Sequence, residues 1–221
     1  MKLKNALHVL PLIHGLRKKS NWRPREICDF SFSNPVILPF QVPSELLQFA
    51  EIVRDIKPKI LLEIGTHHGG TLCVMARLAD PNGTIISVDL PRGEFGGGYK
   101  WFHIPIFKSF AFDKQKLHLL RGDSHSIEMG TQVRGILGSG GELDLLFIDG
   151  DHSYEGVKKD FNSYASLVRH GGIVAFHDIA EHTIQTCQVA RFWNEIKTKY
   201  RHEEIIENPS QGWGGIGLLY M

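Results

Sequence analysis

The stretch LDLLFIDGDHSYEG, starting at Leu143, ends an apolar run in Asp149, Asp151 and His152, with only Gly150 between the two carboxylates. A buried strand gains nothing from such an ending, so these groups are either solvated loop residues or converge on something. A second unusual stretch is LLEIGTHHGGTL, in which Gly65 is followed by Thr66, His67 and His68 before Gly69 and Gly70. It is neither the GxGxxG fingerprint of dinucleotide-binding sheets nor a P-loop, which needs GK[ST]. Instead an acid, Glu63, precedes the first glycine by two residues, which suits a cationic ligand better than a pyrophosphate. Gly65 allows close backbone approach, and Thr71, at a helix start, can bind a carboxylate together with free backbone N–H groups.

These residues need elements that bring them together. The chain of 221 residues, 42% hydrophobic and 22% charged, is long enough for one well-filled core. KILLEIG, TIISVDL, KLHLL, LDLLFID and GGIVAFHD are short apolar runs separated by segments long enough for helices. SELLQFAEIVRDI carries its apolar residues at helical spacing, with Ser44 as the N-cap and Pro58 beyond its end. Alternation of strands and helices implies right-handed crossovers and a parallel sheet covered on both faces. The tail differs, because HEEIIE and GIGLLYM follow one another with no helix between, as an antiparallel hairpin at a sheet edge. The expected fold is therefore α/β, a mostly parallel seven-stranded sheet with that C-terminal hairpin. Residues 1–42 lack a sustained period and are punctuated by Pro24, Pro35 and Pro39, which predicts an N-terminal extension packed on a core formed by 43–221.

In such a sheet the ligand sits beyond the carboxyl ends of the strands. Asp89 ends the second strand, where a carboxylate can accept both hydroxyls of a ribose. Asp123, beside Ser124 in RGDSHS after the third strand, is placed to meet an adenine edge, although an acid there can equally be a helix cap. Glu63, Asp89 and Asp123 on three successive strand ends, with a glycine turn, resemble the S-adenosylmethionine site of class I methyltransferases, which are Rossmann-like. The resemblance runs from about Gln41 to the end and includes the terminal hairpin.

Within that fold, FIDGDHSYEGV followed by HGGIVAFHD resembles the branch of small-molecule O-methyltransferases that includes macrolide-sugar methyltransferases and the proteins named after cephalosporin hydroxylase and rhamnosyl methyltransferase. In that branch the first Asp of the IDGDH segment and an acidic pair after the next strand hold a divalent metal. The resemblance implies Asp149, His177 and Asp178 as ligands, on neighbouring strand ends. His177 departs from the family pattern, which often has a carboxylate there, and this weakens the case for Mg²⁺ and leaves Mn²⁺ or an empty site. His152 matches the general-base position of the sugar methyltransferases, with His182 as a rival. Asp151 either orients His152 or begins the following helix.

The remaining signals are blander. His67 and His68 are adjacent on a tight turn and are expected to point apart, as loop residues. His125 is expected on the adenine side. The glycine- and aromatic-rich segment PRGEFGGGYKWFHIPIFKSF is either a lid or substrate wall or a surface loop. Tyr154 reads as packing or a substrate wall, and Phe192 and Trp193 as core anchors. A net charge of +1, with no basic stripe, argues against a nucleic-acid partner. The opening segment carries neither a signal-peptide pattern nor a membrane span, and three dispersed cysteines fit a reducing cytoplasm. The expected function is S-adenosylmethionine-dependent O-methylation of a small hydroxylated acceptor, such as a sugar or secondary metabolite. The expected partners are that small molecule, no membrane, and a second copy docked through the N-terminus. A nicotinamide oxidoreductase and a cofactor-binding protein without catalysis are the rivals.

Overall fold

The computed structural model describes residues 3–93 and 98–221, with the side chains of residues 3–7 outside that description. Its five parallel strands are β1 (Ile60–Ile64), β2 (Thr84–Asp89), β3 (Lys116–Arg121), β4 (Leu143–Ile148) and β5 (Val168–His177). The terminal pair β6 (Arg201–Ile205) and β7 (Ile216–Tyr220) completes a sheet of order β3-β2-β1-β4-β5-β7-β6, with β7 antiparallel to both neighbours. All seven runs expected from the sequence are strands, and the hairpin lies at the expected edge.

The sheet is covered on both faces because its strands are apolar at successive positions. Leu61, Ile85 and Leu145 face one core, with helices α1 (Leu3–Lys18), α2 (Pro24–Ser33), α3 (Pro43–Ile56) and α4 (Gly70–Leu78). Leu62, Ile86 and Leu146 face the other, with α6 (Ile127–Leu137), α7 (Tyr154–Tyr164) and α8 (Val189–Ile196). Phe192 and Trp193 of α8 are buried there as anchors, and Gly217 of β7 leaves room for the Trp193 ring. The short helix α5 (Ile104–Lys108) belongs to the segment read as lid or loop; residues 94–97 of that segment lie outside the described residues.

Two sequence expectations are corrected. Two helices, α1 and α2, lie within residues 3–42, where the sequence shows no sustained period, and Leu12, Leu16 and Ile27 are fully buried in the first core. The prolines misled, because Pro24 begins α2 at a position where its missing N–H costs nothing. Ser44 is not the N-cap of α3. Val42 holds that place and Pro43 opens the helix, while the Ser44 hydroxyl donates to Glu207 Oε1 at 2.8 Å. Among the described residues, no helix is long and apolar enough to cross a membrane.

The roots of the sheet are tied by Asp144. Its Oδ2 accepts the backbone N–H groups of Lys59 (2.7 Å) and Ile60 (2.9 Å), and its Oδ1 accepts Arg169 Nε at 2.6 Å. Burial alone would raise this carboxyl, yet Arg169 and the two backbone donors hold it below the ordinary range. A depressed native pKa contributes stability above the unfolded value of about 3.9 that is lost as pH falls through the native one. Asp144→Asn is therefore expected to lose about 1–3 kcal/mol in urea unfolding near pH ~7, with the gap to the natural protein narrowing below pH ~4. A gap that is constant with pH would contradict this.

Candidate active site at the strand tips

The carboxyl ends of β1, β2, β4 and β5 open on one cleft of about 690 Å³. The tips of β1 and β4 converge because Gly65 has no side chain. It sits at φ +88°, and a Cβ there would lie 1.9 Å from the Asp149 carbonyl oxygen. Gly65 thus sets the distance between the two halves of the site.

On the β1–β3 side, Thr71, Asp89, Asp123 and Ser124 line the cleft. Glu63 does not: it is fully buried one layer below, where its Oε2 accepts the Thr66 hydroxyl at 2.8 Å and its Oε1 has no partner. Burial raises its pKa well above the carboxylate range, with Asp149 and Asp89 adding to the effect. Asp89 accepts backbone N–H groups from Thr66 (3.3 Å) and Tyr99 (2.7 Å), and burial raises it as well. Asp123 is half-exposed and accepts the His125 N–H at 2.8 Å, while the Ser124 carbonyl accepts the Tyr164 hydroxyl at 2.6 Å. His125 lines the cleft on this side, its Nε2 lying 3.3 Å from Asp160, which is fully buried.

The glycine turn corrects a further expectation. His67 and His68 do not point apart; their rings lie 3.9 Å apart at 37°, and both line the cleft. His67 has a left-handed backbone, φ +48°, which turns the two side chains the same way. Burial lowers both of their pKa values, so the pair favours the neutral form.

On the β4–β5 side four groups meet. His177 Nδ1 lies 3.0 Å from Asp149 Oδ1 and 3.6 Å from Asp178 Oδ2. His152 Nδ1 lies 2.8 Å from Asp178 Oδ2, and its Nε2 3.5 Å from Asp149 Oδ1. Asp178 adopts φ +62° just past β5, and the Gly214 N–H in the β6–β7 connection holds its Oδ1 at 2.8 Å. The C-terminal hairpin therefore positions a site residue as well as closing the sheet. Asp151 Oδ1 accepts the Ser153 N–H at 2.9 Å, at the start of α7. His182 lines the cleft, with Nδ1 accepting the Ile184 N–H. Tyr154 packs against Phe192 and pairs with Glu195, outside this cleft.

Burial opposes protonation of both imidazoles, but the carboxylates overcome it. His152 is pushed up to about 11 by Asp178, Cys187 and Asp149, and His177 is raised by Asp149 and Asp178. Asp178, despite its burial, is held well below the carboxylate range by His177 and His152. The cluster thus sets two acids against two imidazoles whose protonated forms the acids favour. One ligand atom each from Asp149, His177 and Asp178 fall within 4.8 Å of one another, so the same donors can converge on a divalent ion with mixed oxygen and nitrogen preference.

Sequence reading missed Gln41. Its Nε2 donates to Asp149 Oδ2 at 3.0 Å, leaving Oδ1 toward the imidazoles, while its own Oε1 is buried without a partner. No local pattern signals this contact across 108 residues. Cys187, with Sγ 3.9 Å from His152 Nδ1, was likewise unmarked.

A seven-stranded sheet of this order, with acids on successive tips, defines the class I methyltransferase fold. Residues 62–179, just over half of the chain, match the methyltransferase-domain family, and the chain belongs to it. Among solved structures it is similar to the O-methyltransferase from Bacillus cereus in complex with S-adenosylhomocysteine (16% identity, TM-score 0.60, 90% of each chain). It is also similar to the O-methyltransferase TomG from Streptomyces achromogenes, involved in tomaymycin synthesis and in complex with S-adenosylmethionine (18%, 0.58, 93% of this chain and 89% of that one). A third is the MycE methyltransferase of the mycinamycin biosynthetic pathway, in complex with Mg and S-adenosylhomocysteine (19%, 0.51, 72% and 40%). At these identities the likeness is one of fold. The chain spans less than a fifth of the length of the curated relatives it matches.

Gly65→Ala tests the convergence of the tips. A left-handed alanine costs about 1–2 kcal/mol before any clash, so a loss above about 3 kcal/mol is expected in urea unfolding. An unchanged midpoint would contradict the β1–β4 contact described here.

Proposed function

We propose that this protein is an S-adenosylmethionine-dependent O-methyltransferase acting on a hydroxyl of a small molecule, with Asp149, His177 and Asp178 holding a divalent cation and His152 as general base. The observation that carries the reading is the shared cleft. Its β1–β3 wall presents Thr71, Asp89, Asp123 and Ser124, and its β4–β5 wall presents the two-acid, two-imidazole cluster. Gly65 joins the two walls, and Glu63 supports the turn from below through Thr66.

Methyl transfer from a sulfonium is an in-line displacement on an already activated carbon, so the chain has to orient the nucleophile and remove its proton. A divalent cation would supply stabilisation of the developing alkoxide charge. Asp149 is fixed for such a role by Gln41, and Asp178 by Gly214. His152 must be neutral to accept a proton, whereas Asp178, Cys187 and Asp149 favour its protonated form. A cation held by Asp149 and Asp178 would weaken that hold and leave His152 competent as a base. Asp178, 2.8 Å from Nδ1, orients the ring, with Nε2 as the other end of the imidazole. The mixed donor set favours Mn²⁺ over Mg²⁺, which demands oxygen.

Two measurements test the proposal. In calorimetric titration with S-adenosylhomocysteine, Asp89→Ala is expected to weaken binding about tenfold or more, while His152→Ala keeps it; with an acceptor found by methyl-transfer screening, His152→Ala should lose about 10²–10⁴ in turnover. Normal turnover by His152→Ala would remove the base assignment. In metal titration, Mn²⁺ is expected to bind about tenfold more tightly than Mg²⁺, and Asp149→Asn to weaken Mn²⁺ by a similar factor. Equal affinities for the two ions would contradict the donor-set argument.

A further inference from the structure

Beside the Asp149, His177 and Asp178 donors lies a second set that contains sulfur. One ligand atom each from Cys187, His152 and Asp178 fall within 4.8 Å of one another. Cys187 Sγ is 3.9 Å from His152 Nδ1, and Nδ1 is 2.8 Å from Asp178 Oδ2. Bonds of about 2.0–2.3 Å at a tetrahedral zinc put neighbouring donors roughly 3.3–3.6 Å apart. The observed separations bracket that span, so small side-chain rotations close the three donors on one ion.

Three separate segments hold these side chains. Asp178 is fixed past β5 by the Gly214 N–H at 2.8 Å. His152 follows β4, and its carbonyl accepts the Gln188 N–H at 2.7 Å, which draws the segment carrying Cys187 onto the β4 tip. The Cys187 N–H donates to the Ile184 carbonyl at 3.0 Å and closes a turn there. Backbone support of this kind orients donors before an ion arrives. All three side chains line the cleft, so an ion can enter from solvent. The other two cysteines, Cys28 and Cys73, are buried in the first core, and burial pushes both thiols up to about 12. Cys187 is half-buried and is the thiol placed to bind.

Sulfur decides which ion this set takes. A thiolate with an imidazole and one carboxylate suits Zn²⁺, whereas carboxylate-rich sets suit Mg²⁺ and Mn²⁺. Zn²⁺ also outranks Mn²⁺ on nitrogen and oxygen donors alone, so the sulfur bond is what a test has to read. The two sets meet at Asp178 Oδ2, which faces both His152 and His177, because Gly214 occupies Oδ1.

We propose that Cys187, His152 and Asp178 form a thiolate site for Zn²⁺ that overlaps the other donor set through Asp178. The ion takes the place of the thiol proton and of the hydrogen between His152 and Asp178, and both protons pass to solvent. The site stands on these three side chains whether or not the chain transfers methyl groups. Only its consequence, that zinc sequesters His152 and halts turnover, rests on the methyl-transfer reading above.

Cobalt(II) is the probe, because it enters tetrahedral zinc sites and absorbs in the near ultraviolet when sulfur is bound. With Co²⁺ the natural protein is expected to show a sulfur-to-cobalt charge-transfer band that about one equivalent of Zn²⁺ abolishes, and Cys187→Ser is expected to lack it. In competition with a chromophoric chelator, Cys187→Ser is expected to weaken Zn²⁺ about tenfold or more and to leave Mn²⁺ within about twofold. A readout that needs no variant is the accessible thiol of the natural protein, whose reaction with an aromatic disulfide Zn²⁺ is expected to slow about tenfold or more. Absence of the band, its persistence in Cys187→Ser, unchanged zinc affinity, an equal loss for Mn²⁺, or a thiol left unprotected overturns the inference. Failure of S-adenosylhomocysteine to bind would instead remove the methyl-transfer reading, and the cobalt spectrum would still decide the zinc site.

Discussion

Two carboxylates, each within 3.6 Å of both of two imidazoles at the tips of β4 and β5, are the constraint around which the rest of the structure is organised. Placing like charges this close in a buried setting is costly unless each is matched, and here every acid faces an imidazole. That balance holds only while the strand tips keep their spacing. Gly65 fixes one tip against the other, Gln41 fixes Asp149 from the N-terminal side, and Gly214 fixes Asp178 from the C-terminal hairpin.

Elements far apart in sequence are therefore fastened around a few atoms. Glu45 of α3 accepts N–H groups from Glu207 and Gly215 in the β6–β7 connection, which also holds Asp178. Ile37 and Pro39 pack so tightly on Gly70 that any side chain there would strike them. The segment bearing Gln41 is thus clamped between the glycine turn and the hairpin, which gives a single amide enough precision to orient a carboxylate 108 residues away.

The parts of this arrangement legible in the sequence were those written in local patterns. Strands appear as short apolar runs and their tips as polar groups ending those runs, so the positions of Asp89, Asp149, His177 and Asp178 at strand ends are legible from local pattern alone. Contacts made across the fold left no such trace. Gln41 looks like any polar residue between prolines, and the depth of Glu63 follows from how the turn folds over it. The prolines of the first 42 residues resembled breaks because a proline opening a helix and one ending it look alike locally. The close approach of the His67 and His68 rings came with a left-handed backbone at His67, which a two-residue pattern does not encode.

A crystal grown with S-adenosylhomocysteine and Mn²⁺, examined for the anomalous signal of manganese, reads the proposed ion and donor positions in one measurement. The expected result is one manganese peak bonded to Asp149, His177 and Asp178, with the thioether sulfur facing it from across the Gly65 turn. Manganese bound elsewhere, or a sulfur lodged in a hollow separate from those three residues, would contradict it.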